Sequence, residues 1–112
     1  MKDDDDYYVK KLLDLYLGLP QTPSRASRDD RRLAQQLCQQ QTPLETVESA
    51  FLLAIARRAS RDPALPPLQP IRSLHYFLPV IEELLASGVS SDYLQYLRRT
   101  LSPLLDQNTI SK

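Results

Sequence analysis

Proline spacing is the feature that most constrains the fold of this 112-residue chain. Nine prolines and only two glycines divide it into segments in which apolar residues recur with helical spacing. Proline ends or kinks a helix, because it lacks an amide hydrogen and its ring clashes with the preceding turn. The pattern predicts an all-α fold, a compact single-domain bundle of about five helices with proline-rich connectors.

The length of the chain predicts one domain, residues 1–112, because a chain of this size builds a single hydrophobic core. Residues 1–6 hold four consecutive aspartates. We interpret this run as an acidic helix start, an acidic tail or a cloning scar, since acidic side chains suit the positive end of a helix. Residues 106–112 are expected to fray.

The first two helices are placed by their start and stop signals. The first is expected from about Asp4 to Leu17, with Gly18 as a left-handed C-cap. The second is expected to begin after Ser27, which caps it together with Asp30, and to end near Gln40.

The third helix has the clearest start signal, with Thr42 as N-cap, Pro43 in the first helical position and Glu45 closing a capping box. Residues 50–56 are apolar on all sides, which is typical of a helix surrounded by others. We therefore expect this helix at the centre of the core.

The last two helices are expected from about Ser73 to Ser87 and from Ser91 onwards. Pro79 predicts a kink or break in the fourth helix around residues 75–78, because it cannot donate to the carbonyl four residues earlier. The fifth helix is expected to bury Tyr93, Leu94, Leu97 and Leu101.

Residues 62–70 form a proline-rich loop whose leucines we expect to pack on the helices. Tethering of the loop is the favoured interpretation. A polyproline ligand for another domain is the alternative.

Residue types suited to catalysis or metal binding are scarce. His75 is the only histidine and Cys38 the only cysteine, so no zinc ligand set exists, and two glycines provide no phosphate loop. We expect His75 in the core or an interface, and Cys38 as a small buried apolar group, with a reactive thiol as the alternative. The sequence predicts no enzyme, no cofactor, no metal and no small-molecule substrate.

The chain contains no run of about 18 apolar residues and opens with acidic residues, so we expect neither a membrane span nor a signal peptide. The expected location is the cytoplasm.

Basic residues dominate once the N-terminal acidic run is set aside. Outside residues 1–6, 13 of the 14 basic residues remain, but only 10 of the 14 acidic ones. Ten of the basic residues are arginines, whose planar guanidinium matches phosphate oxygens. We predict phosphate contacts from seven of them. They are Arg25, Arg28, Arg31, Arg32, Arg57, Arg58 and Arg61.

The second and third helices also have the spacing of a helix-turn-helix unit. Ala34, Cys38, Leu44 and Val47 match the small and apolar positions of that motif. Two antiparallel core helices joined by a short turn would give the same spacing, and we favour that alternative.

A longer pattern covers residues 27–75, about half of the chain. It runs through Arg31 to Leu37, Thr42-Pro-Leu-Glu-Thr-Val, Ala50-Phe-Leu-Leu-Ala-Ile-Ala-Arg-Arg and Pro66-Pro-Leu-Gln-Pro-Ile-Arg-Ser. This pattern resembles the small helical domain found C-terminal to primase-polymerases and plasmid replication initiators. The resemblance implies an accessory module that contacts template DNA through basic residues.

The favoured hypothesis is a non-enzymatic helical module that binds nucleic acid or a nucleoprotein complex in a bacterial replication, mobile-element or defence context. The alternative is a protein-interaction module or a structural subunit. In that case the partner or a second copy of the chain would bind tyrosines expected at the surface. These are Tyr7, Tyr16 and Tyr96.

Overall fold

The computed structural model describes residues 2–87, 92–93 and 95–100, which contain helices and no strand. This confirms the all-α prediction. The helices are α1 (Lys2–Leu17), α2 (Arg28–Gln39), α3 (Leu44–Ala59) and α4 (Leu78–Ser87), and a 3-10 turn spans Leu74–Phe77. Residues 92–93 and 95–100 are also helical. In the described part of the chain, no helix has the length and apolar character needed to cross a membrane.

The core is built around three aromatic rings from three different elements. Phe51 of α3 lies 4.8 Å from Phe77 of the 3-10 turn, and Tyr16 of α1 lies 6.4 Å and 6.0 Å from these two, measured between ring centroids. Helix α1 packs mainly on α2, and α3 packs mainly on α4. The aromatic rings therefore connect the two helix pairs.

Helix α3 is the central element, as its apolar composition predicted. None of the residues 44–56 is exposed. Near its N-terminus, Arg98 covers the acidic side chains, with its Nε 2.9 Å from Glu48 Oε1 and its Nη1 4.0 Å from Glu45 Oε1. The helix is thus enclosed even at its polar end.

The start of α2 confirms the predicted capping box. Ser27 Oγ accepts from the amide of Asp30 at 3.0 Å, and Asp30 Oδ2 accepts from the amide of Ser27 at 3.0 Å. The second carboxylate oxygen accepts from the amide of Leu74 at 2.9 Å, and Asp30 is only 1% exposed. One buried carboxylate therefore caps α2 and anchors the 3-10 turn.

The predicted start of α3 is wrong by one residue. Pro43, not Thr42, is the N-cap, and no side-chain cap hydrogen bond forms there. The amide of Thr42 donates to the carbonyl of Leu37 at 3.0 Å, so Thr42 belongs to the end of α2. The carbonyl of Pro43 accepts the first helical bonds of α3, from Thr46 and Val47.

Helix α1 ends at Leu17, as predicted, but the turn that follows it differs from the prediction. Gly18 does not adopt the left-handed conformation. The left-handed residue of this turn is Gln21, with φ of 64°, and its carbonyl accepts from the amide of Ile71 at 2.9 Å. The chain reverses three residues later than expected, because buried Leu19 first continues the apolar face of α1.

The predicted break before Pro79 is confirmed, because the 3-10 turn ends at Phe77 and α4 begins at Leu78. His75 lies in this turn and is exposed, so it is not a core residue, and its place in an interface stays a prediction. Leu97 is buried as expected, but Tyr93 is exposed, contrary to prediction. The predictions for Leu94, Leu101 and residues 106–112 concern positions outside the described residues.

Candidate nucleic-acid interface

The outer face of α2 is a continuous polar surface. Asp30, Leu33, Ala34 and Leu37 turn inward, so the helical repeat of about 3.6 residues leaves the opposite side to solvent. The exposed residues of this face are Arg28, Arg31, Arg32, Gln35, Gln36 and Gln39. Arg25 is also exposed, in the loop that leads into α2.

Four predicted phosphate ligands come together at the N-terminal half of α2. Arg25, Arg28, Arg31 and Arg32 are all exposed, and none of their side chains has a hydrogen bond or an ion pair among the described residues. The amides at a helix N-terminus add a positive partial charge. These guanidinium groups are available to an external anion.

The other three predicted ligands have partners inside the protein; Arg57 and Arg58 lie in the last turn of α3, and Arg61 follows the end of the helix. Arg57 forms a two-pronged ion pair with Glu83 at 3.0 Å and 2.7 Å, which holds the pKa of the Glu83 carboxyl below its usual range. Arg58 donates to the Tyr76 hydroxyl at 3.1 Å and to the Gln69 carbonyl at 2.9 Å. Arg61 donates to the carbonyl of Pro66 at 3.2 Å. These arginines hold the 62–70 loop and α4 in place.

An open groove of about 1130 Å³ separates the α2 arginines from α1. Arg25 and Arg31 lie on one wall, and Asp5, Asp6 and Asp14 lie on the other together with one basic residue, Lys10. The groove is therefore divided in charge, and only its α2 side is suited to phosphate.

Cys38 lies in this groove and is partly exposed, not buried as predicted. Its Sγ donates to Asp5 Oδ1 at 3.3 Å. Desolvation raises the pKa of the Cys38 thiol, and the hydrogen bond and negative charge of Asp5 raise it further. The thiol therefore stays protonated at neutral pH, which disfavours the reactive alternative.

The helix-turn-helix alternative is wrong. A recognition helix needs an exposed face to enter the major groove, but residues 44–56 of α3 have no exposed side chain. Helix α2 packs mainly on α1 instead of forming a compact pair with α3. Burial of Ala34 and Val47 reflects the shared core alone.

Only two of the three predicted surface tyrosines are exposed. Tyr7 and Tyr96 are 64% and 55% exposed, but Tyr16 is completely buried against Phe51 and Phe77. The expected exposure of Tyr16 is wrong because its position on α1 faces the core. Tyr93, which was expected in the core, is a surface residue instead. Its ring stacks on that of Tyr96, with 6.4 Å between the ring centroids.

No protein-family model, curated protein or solved structure matches this chain. The candidate interface therefore depends on geometry alone. The described residues also contain no group of three or more histidine, cysteine, aspartate or glutamate side chains placed to hold a metal ion.

The glutamines of α2 share the exposed face with the arginines but were not among the predicted ligands. Gln35 and Gln39 lie one and two turns beyond Arg32. Their amides both donate and accept, as base edges and phosphate oxygens require. Helical periodicity opposite Leu33 and Leu37 is the sequence signal that identifies them.

Proposed function

We propose that this chain is a non-enzymatic nucleic-acid-binding module whose contact surface is the outer face of α2. The proposed phosphate ligands are Arg25, Arg28, Arg31 and Arg32, and the glutamines of the same face lie beside the bound strand. The observation that carries the proposal is that these four arginines are exposed and lack partners in the described protein, whereas Arg57, Arg58 and Arg61 are engaged in it.

Guanidinium groups bind phosphates by charge and by paired hydrogen bonds, and they release condensed counterions when they do so. The outer face of α2 carries several of them, and Asp29 is the one exposed acidic residue of this helix, so the face supplies the electrostatic part of such binding. The resemblance to domains beside primase-polymerases and replication initiators makes a bacterial replication, mobile-element or defence context the proposed setting.

Fluorescence anisotropy with labelled single- and double-stranded DNA, over a series of salt concentrations, tests this proposal. We expect binding that weakens steeply with salt. The double variant R28A/R32A should lower the slope of log affinity against log salt by about 1.8, because each lost phosphate contact contributes about 0.9 on duplex DNA.

The matched control is K11A/R99A, which removes the same charge from exposed positions away from the α2 face. It should leave the slope nearly unchanged. Absence of binding at low salt, or equal losses in both double variants, would contradict a specific α2 surface.

A second candidate, a protein-interaction module, is favoured by one observation. Tyr93 and Tyr96 stack on each other and both are exposed, and aromatic side chains of this kind are enriched in protein interfaces. If this surface joins two copies of the chain, Y93A/Y96A should abolish a concentration-dependent dimer in sedimentation velocity, whereas Y7A should not. A monomer at all concentrations would contradict self-association.

A further inference from the structure

The proposed nucleic-acid surface does not involve residues 66–72, which we call the proline connector. Its sequence is Pro66-Pro67-Leu68-Gln69-Pro70-Ile71-Arg72, and its backbone contains no helix, turn, bend or strand pairing. Each proline sets its own φ near −65° and drives the preceding residue to an extended conformation. The local chemistry therefore favours a polyproline II helix, which has three residues per turn.

The contacts of the connector repeat every three residues, as that helix requires. The carbonyls of Pro66 and Gln69 accept from Arg61 and Arg58, at 3.2 Å and 2.9 Å. Arg58 lies in the last turn of α3 and Arg61 lies two residues after its end, so both donors come from the same end of this helix. This spacing ties the connector to the protein along one edge.

Apolar side chains follow the same register. Ile71 is 3% exposed, and its amide donates to Gln21. Leu68, three residues earlier, and Leu65, three before that, line an open crevice with Ala54 of α3 and Val80 of α4, and they remain 40% and 49% exposed. This face of the helix is therefore anchored by buried Ile71 and only partly covered at the two leucines.

The two remaining faces are open to solvent. Pro67 and Pro70 are exposed and lie one turn apart on one of them, about 9 Å along the axis. Arg72 continues the register of Pro66 and Gln69 on the other face. It is exposed and has no hydrogen bond or ion pair among the described residues.

We propose that the proline connector is a preformed polyproline ligand for a protein domain that has an aromatic-lined groove and an adjacent carboxylate pocket. Pro67 and Pro70 would pack between the aromatic rings, as proline-rich segments do in such grooves. The unpaired guanidinium of Arg72 complements the carboxylates. Because Arg58 and Arg61 already hold the backbone, binding costs less conformational entropy than it does for a flexible peptide.

The test is a titration of the ¹⁵N-labelled full chain with a panel of purified SH3 domains that bind Pro-x-x-Pro ligands, followed by NMR. At least one domain should shift amide signals in and beside residues 66–72 and leave the signals of α2 unchanged. The variants P67A/P70A and R72E should each weaken that binding at least about tenfold, which corresponds to about 1.4 kcal/mol.

The controls are P63A, an exposed proline outside the connector, and R99E, which makes the charge change of R72E at another exposed position. Both should bind as the unaltered chain does. If P67A/P70A lowers the thermal unfolding temperature, the comparison of R72E with R99E tests the proposal, since the Arg72 side chain has no partner among the described residues. The proposal is overturned if no domain of the panel binds, if the shifts lie elsewhere, or if R72E binds like R99E.

Discussion

Tyr16 shows, at the scale of one residue, how a polar group can be placed in the core. Its ring packs on Phe51 and Phe77, but its buried hydroxyl has no hydrogen-bond partner among the described residues. Desolvation, with a further contribution from the negative charge of Asp30, raises the pKa of the Tyr16 hydroxyl to about 12. A buried hydroxyl without a partner costs about 1–3 kcal/mol, which the aromatic packing offsets.

At about pH 8, we predict that Y16F has the same free energy of unfolding as the unaltered chain, or one that is higher by about 1 kcal/mol. Because the pKa of Tyr16 is about 12 in the folded state and 10.0 in the unfolded state, the folded state holds this proton more tightly. The stability that this difference contributes is present below pH 10 and is lost as pH rises toward 12. Y16F should therefore lose less stability than the unaltered chain between about pH 8 and about pH 11.

Urea denaturation at both pH values measures this difference, with Y7F at an exposed position as the control. Burial also raises the pKa of Tyr8 to about 12. Every variant therefore loses the stability that Tyr8 contributes as pH rises, and only the difference between variants reports on Tyr16. A clear loss of stability in Y16F at the lower pH would show that its hydroxyl has a stabilising partner.

The turn between α2 and α3 belongs to the scale of the element. Gln41 has φ of 60°, and the amides of Gln41 and Thr42 donate to the carbonyls of Cys38 and Leu37, both at 3.0 Å. This is the Schellman pattern that usually has glycine at the left-handed position, because a side chain is strained there.

Gln41→Gly is expected to raise the free energy of unfolding by about 0.5–1 kcal/mol, through relief of strain that exceeds the added entropy of the unfolded chain. Gln21→Gly is the matched comparison, because Gln21 has φ of 64° but its side chain also accepts from Arg58. Gln21→Gly should therefore gain less stability than Gln41→Gly, or lose stability. Urea denaturation of the two variants measures the difference, and a less stable Q41G would contradict the strain argument.

At the scale of the whole molecule, Asp30 joins parts of the chain that are 44 residues apart. Its carboxylate receives the amides of Ser27 and Leu74, so the cap of α2 and the position of the 3-10 turn depend on one side chain. This 3-10 turn places Phe77 against Phe51 and Tyr16 in the core.

Asp30→Ala is expected to lower the free energy of unfolding by about 2–3 kcal/mol, since two amides lose their acceptor in a buried site. Asp30→Asn should cost less, because its one amide oxygen still accepts one of the two bonds. Asp29→Ala, an exposed neighbour in the same helical turn, is the control. Urea denaturation measures all three, and equal effects at residues 29 and 30 would contradict the bridging role.

Signals that act within one or two helical turns predicted much of the fold. Ser27 and Asp30 cap α2, Pro79 separates the 3-10 turn from α4, and the apolar residues of α3 are enclosed. The polar face of α2 was equally predictable, because it lies opposite Leu33 and Leu37 in the helical repeat. These properties depend on the backbone and its near neighbours, which a linear sequence contains.

Contacts between distant segments decided the rest. Nothing near Arg57 or Arg58 in the sequence shows that Glu83 and Gln69 occupy their guanidinium groups, whereas the α2 arginines have no such partners among the described residues. Tyr16 is buried because rings from α3 and the 3-10 turn surround it. The sequence thus determined the helices and their polar faces, but which charged and aromatic side chains stay accessible depended on packing between residues far apart in the chain.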